Sequence, residues 1–90
     1  MKLYFRVHAV QRMFERRVSM KKVLGALQPG DTIEDYSSEM AEPSRLILGL
    51  QGKHPFHVVT SENSAGSETT IITVYIPDPD KWSKDFKRRR

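Results

Sequence analysis

The spacing of hydrophobic residues in this chain changes at Pro29 and Gly30. From about Val7 to this dipeptide, apolar residues recur every three or four positions, which is the repeat of an amphipathic helix. After it, they alternate or form short runs rich in Val, Ile, Thr and Tyr, which are typical of strands. Helices followed by strands predict an α+β fold with the helices on one face of a sheet.

Two helices are predicted before Pro29, at residues 7–17 and 19–28. Ser19 is a typical N-cap for the second helix, and Pro29 with Gly30 ends it. The predicted apolar faces are Ala9, Val10, Met13 and Phe14 in the first helix, and Met20, Val23, Leu24 and Leu27 in the second.

Four strands are predicted after Gly30, and their order favours an antiparallel meander. Residues 2–6 also alternate and are compatible with a short first strand. In the last strand, alternation predicts that Ile72, Val74 and Ile76 share the face that packs on the helices. The predicted fold is thus two N-terminal helices on one face of a four-stranded antiparallel sheet. Its strands are assigned to residues 31–36, 45–50, 55–61 and 69–76.

The length and the composition restrict the class of protein. Ninety residues suit one domain, which we assign to residues 1–83, followed by a basic tail at 84–90 that we expect to be disordered. The chain has no cysteine, which excludes disulfide scaffolds, cysteine-rich zinc folds and thiol nucleophiles. No apolar run approaches the roughly 18 residues of a membrane span, so we expect a cytoplasmic protein without a membrane partner.

Positive charge is concentrated at the two ends of the chain. Residues 1–30 contain seven Lys and Arg and one acidic residue, and residues 81–90 contain six and one. Acidic residues predominate in the segments between them. This distribution suits a polyanionic partner such as RNA, or an acidic protein. The alternative is that the basic ends are merely solvated, which we favour for the terminal run at 87–90.

The first predicted helix contains a column of basic residues. His8, Arg12 and Arg16 are four positions apart, so their side chains lie along one side of the helix. An imidazole beside two guanidinium groups combines a proton-transfer group with ligands for phosphate. The alternative is a solvated basic face on which Glu15 forms local ion pairs.

A second group of polar residues is predicted on the sheet. Thr73 and Tyr75 alternate with the apolar residues of the last strand, and His57 and Tyr36 can join the same face from other strands. The alternative is that Tyr75 and Tyr36 lie at the rim of the core and that His57 is half-buried and hydrogen-bonded. For His57 we favour this structural alternative, whereas for Tyr75 the two interpretations are equally supported. His54 and His57 are three apart on an extended strand and face opposite sides, so we predict no metal site. The chain also lacks a glycine-rich phosphate loop, and we predict no nucleotide cofactor.

Several segments together resemble a bacterial family filed as a domain of unknown function, which usually opens with His-Ala-x-x-Arg-Met-x-x-Arg. The resemblance extends from His8 to Trp82. Glu42 and the pair Lys21 and Lys22 depart from the family pattern. The matching segments are HAVQRMFERRVSMKKVLGAL, GDTIEDY, PSRLILG, HPFHVV and IITVYIPDPDKW.

This family is similar to the toxins of toxin–antitoxin pairs and has been compared with the RelE/barnase-like ribonuclease fold. The resemblance implies RNA cleavage without a metal or other cofactor, with RNA and a small antitoxin protein as partners. It implies that His8 acts as acid or base, with Tyr75 as a second candidate, and that Arg12 holds the phosphate. The predicted phosphate- or RNA-binding residues are Arg16, Arg45, Thr73, His57 and Tyr36. The alternative is a non-catalytic basic module that binds RNA or an acidic protein.

Overall fold

The computed structural model describes residues 2–27, 31–35, 44–63 and 68–90. The helices and the four predicted strands all lie within one residue of their predicted ranges. In chain order the elements are β1 (Lys2–Phe5), α1 (Val7–Arg16), α2 (Met20–Leu27), β2 (Asp31–Asp35), β3 (Ser44–Gln51), β4 (His54–Glu62) and β5 (Glu68–Tyr75).

The sheet has five strands in the order β1-β5-β4-β3-β2. Strands β2 to β5 form the predicted antiparallel meander, but β1 adds to it in parallel with β5, with Phe5 opposite Ile71. The predicted four-stranded antiparallel sheet is therefore wrong, and so is the RelE/barnase-like arrangement that was predicted with it. The predicted α+β class is correct. The error arose because a four-residue strand shows alternation but no sign of its partner, and here that partner is the last strand.

The corner between the two helices is well defined. Arg17 ends α1 in the left-handed region, with φ of 58°. The Val18 amide then donates to the Met13 carbonyl at 2.9 Å. Ser19 is the N-cap of α2, as predicted, because its Oγ accepts a hydrogen bond from the Lys22 amide at 3.1 Å. Three residues thus separate the two helices.

The core lies between the helices and one face of the sheet. Ala9, Met13 and Val23 are buried there against residues of β4 and β5. The prediction that Val10 and Phe14 are also buried is wrong, since they are 48% and 86% exposed. The four apolar residues of α1 span about 140° of the helix circumference, and only the half with Ala9 and Met13 faces the sheet. Leu24 in α2 is likewise exposed, against prediction.

A register shift changes which residues of β5 face the core. Val59 lies opposite Thr73, but the next residue of β4, Thr60, lies opposite Ile71. Ile72 is thereby skipped, and Ile71 joins Val74 in the core. The predicted core position of Ile72 is therefore wrong, because strict alternation fails where one strand contains an extra residue.

The C-terminal segment, residues 77–90, packs on the face of the sheet opposite the helices. Trp82 pairs with Arg89 in an isolated antiparallel bridge, and Trp82 is 3% exposed. The Ser83 amide donates to the Arg88 carbonyl at 2.8 Å. Residues 84–90 contact the rest of the domain through Phe86 and Arg89. Neither helix in the described part of the chain has the length and apolar character needed to cross a membrane.

Candidate functional site at the end of the first helix

A cleft of about 320 Å³ lies where the end of α1 meets the turn between β3 and β4. Its volume is at the lower end of the range for ligand-binding pockets. Its polar side chains come from both elements, and its floor is apolar. The lining residues are Arg16, Arg17, Val18, Gln51, His54, Pro55, Phe56 and Ile76.

The side chain of Gln51 fixes the two walls of the cleft relative to each other. Its Oε1 accepts a hydrogen bond from the Ser19 amide at 3.1 Å, and its Nε2 donates to the Arg17 carbonyl at 2.7 Å. The β3–β4 turn itself needs only Gly52 and Lys53, and Gly52 has φ of 64°, a conformation that glycine adopts without strain. Gln51 therefore holds the helix corner beside the turn that presents His54.

The cleft is cationic. The side chains of Arg16, Arg17 and His54 are exposed, and no carboxylate is among the described residues that line the cleft. A planar guanidinium donates two parallel hydrogen bonds to a phosphate or carboxylate, and an imidazole can exchange a proton near neutral pH. This arrangement can therefore bind an anion and transfer a proton beside it.

The predicted basic column is only partly connected to this cleft. Arg16 lines it, whereas His8 and Arg12 are not among its lining residues. His8 is exposed on α1, and Arg12 forms an ion pair with Glu15 at 2.9 Å. The local pairing that we considered as an alternative therefore exists for Arg12.

His57 and Tyr75 lie opposite each other on β4 and β5, as the predicted polar face requires. His57 Nδ1 lies 3.0 Å from the Tyr75 hydroxyl, and Nε2 lies 2.9 Å from the Phe86 carbonyl oxygen. Because a carbonyl only accepts, Nε2 carries the proton and Nδ1 accepts from the tyrosine. His57 is fully buried, and this burial lowers its pKa. A buried neutral imidazole with both nitrogens bonded serves the packing of the C-terminal segment.

Trp82 and Arg89 complete the cover over His57. The Trp82 ring meets the imidazole edge-on at 4.5 Å between centroids. The Arg89 guanidinium lies 4.7 Å from the centre of the Trp82 ring and makes two hydrogen bonds to the Glu34 carboxylate, at 3.0 and 3.1 Å. The C-terminal segment is thereby joined to β2 as well as to β4.

The remaining predicted site residues are dispersed. Arg45 forms an ion pair with Glu62 at 2.6 Å, and Thr73 is half-buried on the face away from the helices. Tyr36 lies outside the described residues. Neither Arg17 nor His54 was predicted from the sequence to bind an anion. Their positions could have indicated such a role, because Arg17 lies at the end of α1 and His54 follows the β3–β4 turn. Functional side chains often occur where loops leave rigid elements.

The described residues contain no group of three or more His, Cys, Asp or Glu side chains arranged to hold a metal ion. Comparison with known proteins found one family: residues 5–76 match the sequence profile described as "Domain of unknown function (DUF4258)". No curated protein and no solved structure gave a significant match.

Proposed function

Because the chain belongs to the DUF4258 family, whose description assigns no activity, we propose its function from the cleft: it cleaves RNA without a metal, as the toxin of a toxin–antitoxin pair. The observation that supports the proposal best is that two arginines and a histidine line one cleft in which the described residues supply no carboxylate. Such a cleft favours the binding of an anion. The phosphodiester of RNA is an anion that can be cleaved by proton transfer and charge stabilisation alone.

The proposed chemistry uses the ribose 2′-hydroxyl as the nucleophile. The 2′-oxygen bonds to phosphorus as its proton passes to a base, and the bond to the 5′-oxygen breaks as that oxygen gains a proton. The products are a 2′,3′-cyclic phosphate and a 5′-hydroxyl. We assign one of the two proton transfers to His54 and the stabilisation of the phosphorane oxygens to Arg16 and Arg17.

The alternative proton-transfer residue is His8, which the sequence resemblance favours and which is exposed on α1. In that case Arg12 must leave Glu15 to reach the phosphate, because the two side chains form an ion pair. Arg16 belongs to both assignments, since it lies in the basic column and in the cleft. Its substitution therefore tests RNA binding under either mechanism.

The proposal is tested by incubating the full chain with a labelled RNA oligonucleotide in EDTA, alongside DNA of the same sequence. We expect cleavage of RNA alone, because the mechanism needs the 2′-hydroxyl. Arg16→Ala should slow cleavage about 10²- to 10³-fold, by loss of charge stabilisation. Lys53→Ala is the matched control, since Lys53 is an exposed cation in the adjacent turn outside the cleft lining.

Cleavage of both RNA and DNA, or an Arg16→Ala rate equal to that of Lys53→Ala, contradicts the proposal. Tight RNA binding without cleavage favours the non-catalytic basic module instead. In that case Arg16→Ala should still weaken binding and reduce its dependence on salt, because each phosphate contact releases counterions.

A further inference from the structure

The outer face of α1 carries an apolar stripe that the rest of the described chain leaves open. Val7, Val10 and Phe14 are 74%, 48% and 86% exposed. At spacings of three and four residues, they lie along one side of the helix over about 10 Å. Scattered apolar residues are common on protein surfaces, but a contiguous stripe marks an interaction site.

The stripe borders a shallow depression, which gives it the shape of a docking surface. The depression has a volume of about 560 Å³ and is lined by Val7, Val10, Gln11, Arg12, Phe14 and Glu15. Its apolar side chains occupy the centre of the helix face, with polar ones beside them. A partner helix binds such a face through its own residues at similar spacing.

The charge around the stripe defines the partner. Residues 6–17, which include α1, carry four Arg but one acid, Glu15, and that carboxylate is paired with Arg12. A second copy of this chain would bring two such cationic surfaces together, which repulsion disfavours. An acidic partner gains attraction instead. We propose that the outer face of α1 binds an acidic amphipathic helix of another protein.

RNA is the other class of acidic macromolecule, but the stripe suits it less well. Single-stranded RNA stacks its bases on aromatic rings, and Val7 and Val10 offer none. The stripe also lies outside the lining of the Arg16–His54 cleft. The inference extends the proposed function by giving the expected antitoxin a binding surface. Its test does not require RNA cleavage.

The probe is a synthetic amphipathic peptide of about five helical turns, with Leu along one face and Glu on its flanks. We expect it to bind the full chain in a fluorescence anisotropy titration. Phe14→Ala should weaken this binding at least about tenfold, since a buried aromatic side chain dominates such interfaces. Leu50→Ala is the matched control, because Leu50 is a 59% exposed hydrophobic residue on β3 and should leave affinity unchanged.

Three results would overturn the inference. The first is failure of the Glu peptide to bind, or equal binding of a peptide with Lys in place of Glu. The second is a dimer in sedimentation analysis that Phe14→Glu dissociates, which would assign the stripe to a second copy. The third is that Phe14→Ala weakens the binding of oligouridylate as much as it weakens the binding of the peptide. That result would assign the stripe to RNA. Unchanged RNA cleavage by Phe14→Ala would separate this surface from the proposed active cleft.

Discussion

The two outer surfaces of this domain differ in the exposure of their aromatic side chains. On the sheet face away from the helices, Trp82 is buried and contacts the His57 ring, and Arg89 lies over it. On the outer face of α1, Phe14 is 86% exposed beside open valines. Both aromatic residues occur among basic residues in the sequence. The chain itself covers the first surface, whereas the second is exposed to solvent.

The arginine residues of the domain show a similar contrast in their contacts. Arg89 donates two hydrogen bonds to the Glu34 carboxylate and lies over the Trp82 ring. Its charge therefore interacts with groups of the same chain. Arg16 and Arg17 line an open cleft, and none of its other lining residues in the described part of the chain carries a carboxylate. The Arg89 charge therefore contributes to the packing of the C-terminal segment, whereas the charges of Arg16 and Arg17 are exposed at the end of α1.

Trp82→Ala should have the largest effect on stability. It removes a buried ring that contacts His57, and we expect a loss of about 3–5 kcal/mol in the free energy of unfolding. The matched variant Phe14→Ala should change this free energy by no more than about 0.5 kcal/mol, because Phe14 is exposed. Urea unfolding of both variants measures the difference, and equal losses would contradict the contrast between the two surfaces.

Gly49→Ala should have the next largest effect. A Cβ atom at Gly49 would overlap the Phe56 ring and lie 2.8 Å from Ala26 Cβ, so the ring must shift and α2 must move away from β3 to admit it. We expect a loss of about 1–3 kcal/mol from overpacking. Gly25→Ala is the control, since a Cβ there meets nothing within 4 Å and should stabilise α2 by up to about 1 kcal/mol. Equal thermal melts of the two variants would show that the packing of α2 on β3 is loose.

His57 should make stability depend on pH. Burial lowers its pKa below the ordinary value of 6.5, so the unfolded chain binds a proton more readily than the folded one. Glu34 nearby raises this pKa, and Arg89 lowers it, but desolvation has the largest effect. Stability from this group is complete above pH 6.5 and is lost as pH falls toward the folded pKa, by at most about 1.4 kcal/mol per pH unit.

Urea unfolding between pH 5 and 8 measures this dependence. His57→Gln should flatten the slope, whereas His54→Gln removes an exposed imidazole and should leave the slope as in the wild type. A slope that persists in His57→Gln would show that another group causes it. The C-terminal segment would then not depend on a neutral His57.

The smallest predicted effects concern the two surface ion pairs. Arg89 and Glu34 make two hydrogen bonds, but the arginine side chain is 61% exposed, so a double-mutant cycle should give a coupling of at most about 1 kcal/mol. Arg12 and Glu15, on the open surface of α1, should give about 0.3–0.5 kcal/mol. A stronger coupling between Arg12 and Glu15 than between Arg89 and Glu34 would contradict the expectation that the C-terminal ion pair contributes more to stability.

The sequence predicted local elements well because their signals are local. Apolar spacing and the Ser19 cap located the helices, and β-rich runs located the four later strands. Pairing over long sequence distances carries no such signal. The parallel match of β1 with β5 and the contact of Trp82 with His57 both join distant segments, and neither was predicted.

The candidate site was predicted less well for the same reason. Helical spacing placed His8, Arg12 and Arg16 in one column, but only Arg16 reaches the cleft. His54 enters that cleft because Gln51 bonds to the backbone of Arg17 and Ser19, which lie more than thirty residues away in the chain. A pattern within one element cannot show this kind of tertiary connection. His57 and Tyr75 were correctly placed on one face because neighbouring strands share their alternation.

We propose that the cleft beside the α1 corner, rather than the exposed column of α1, performs the proton transfer on RNA. RNA cleavage in EDTA by His54→Ala and His8→Ala distinguishes the two sites, with thermal melts to confirm that both variants are folded. His54→Ala should lose about 10²- to 10⁴-fold in rate, while His8→Ala should cleave like the wild type. Full activity in His54→Ala together with a large loss in His8→Ala would contradict this proposal.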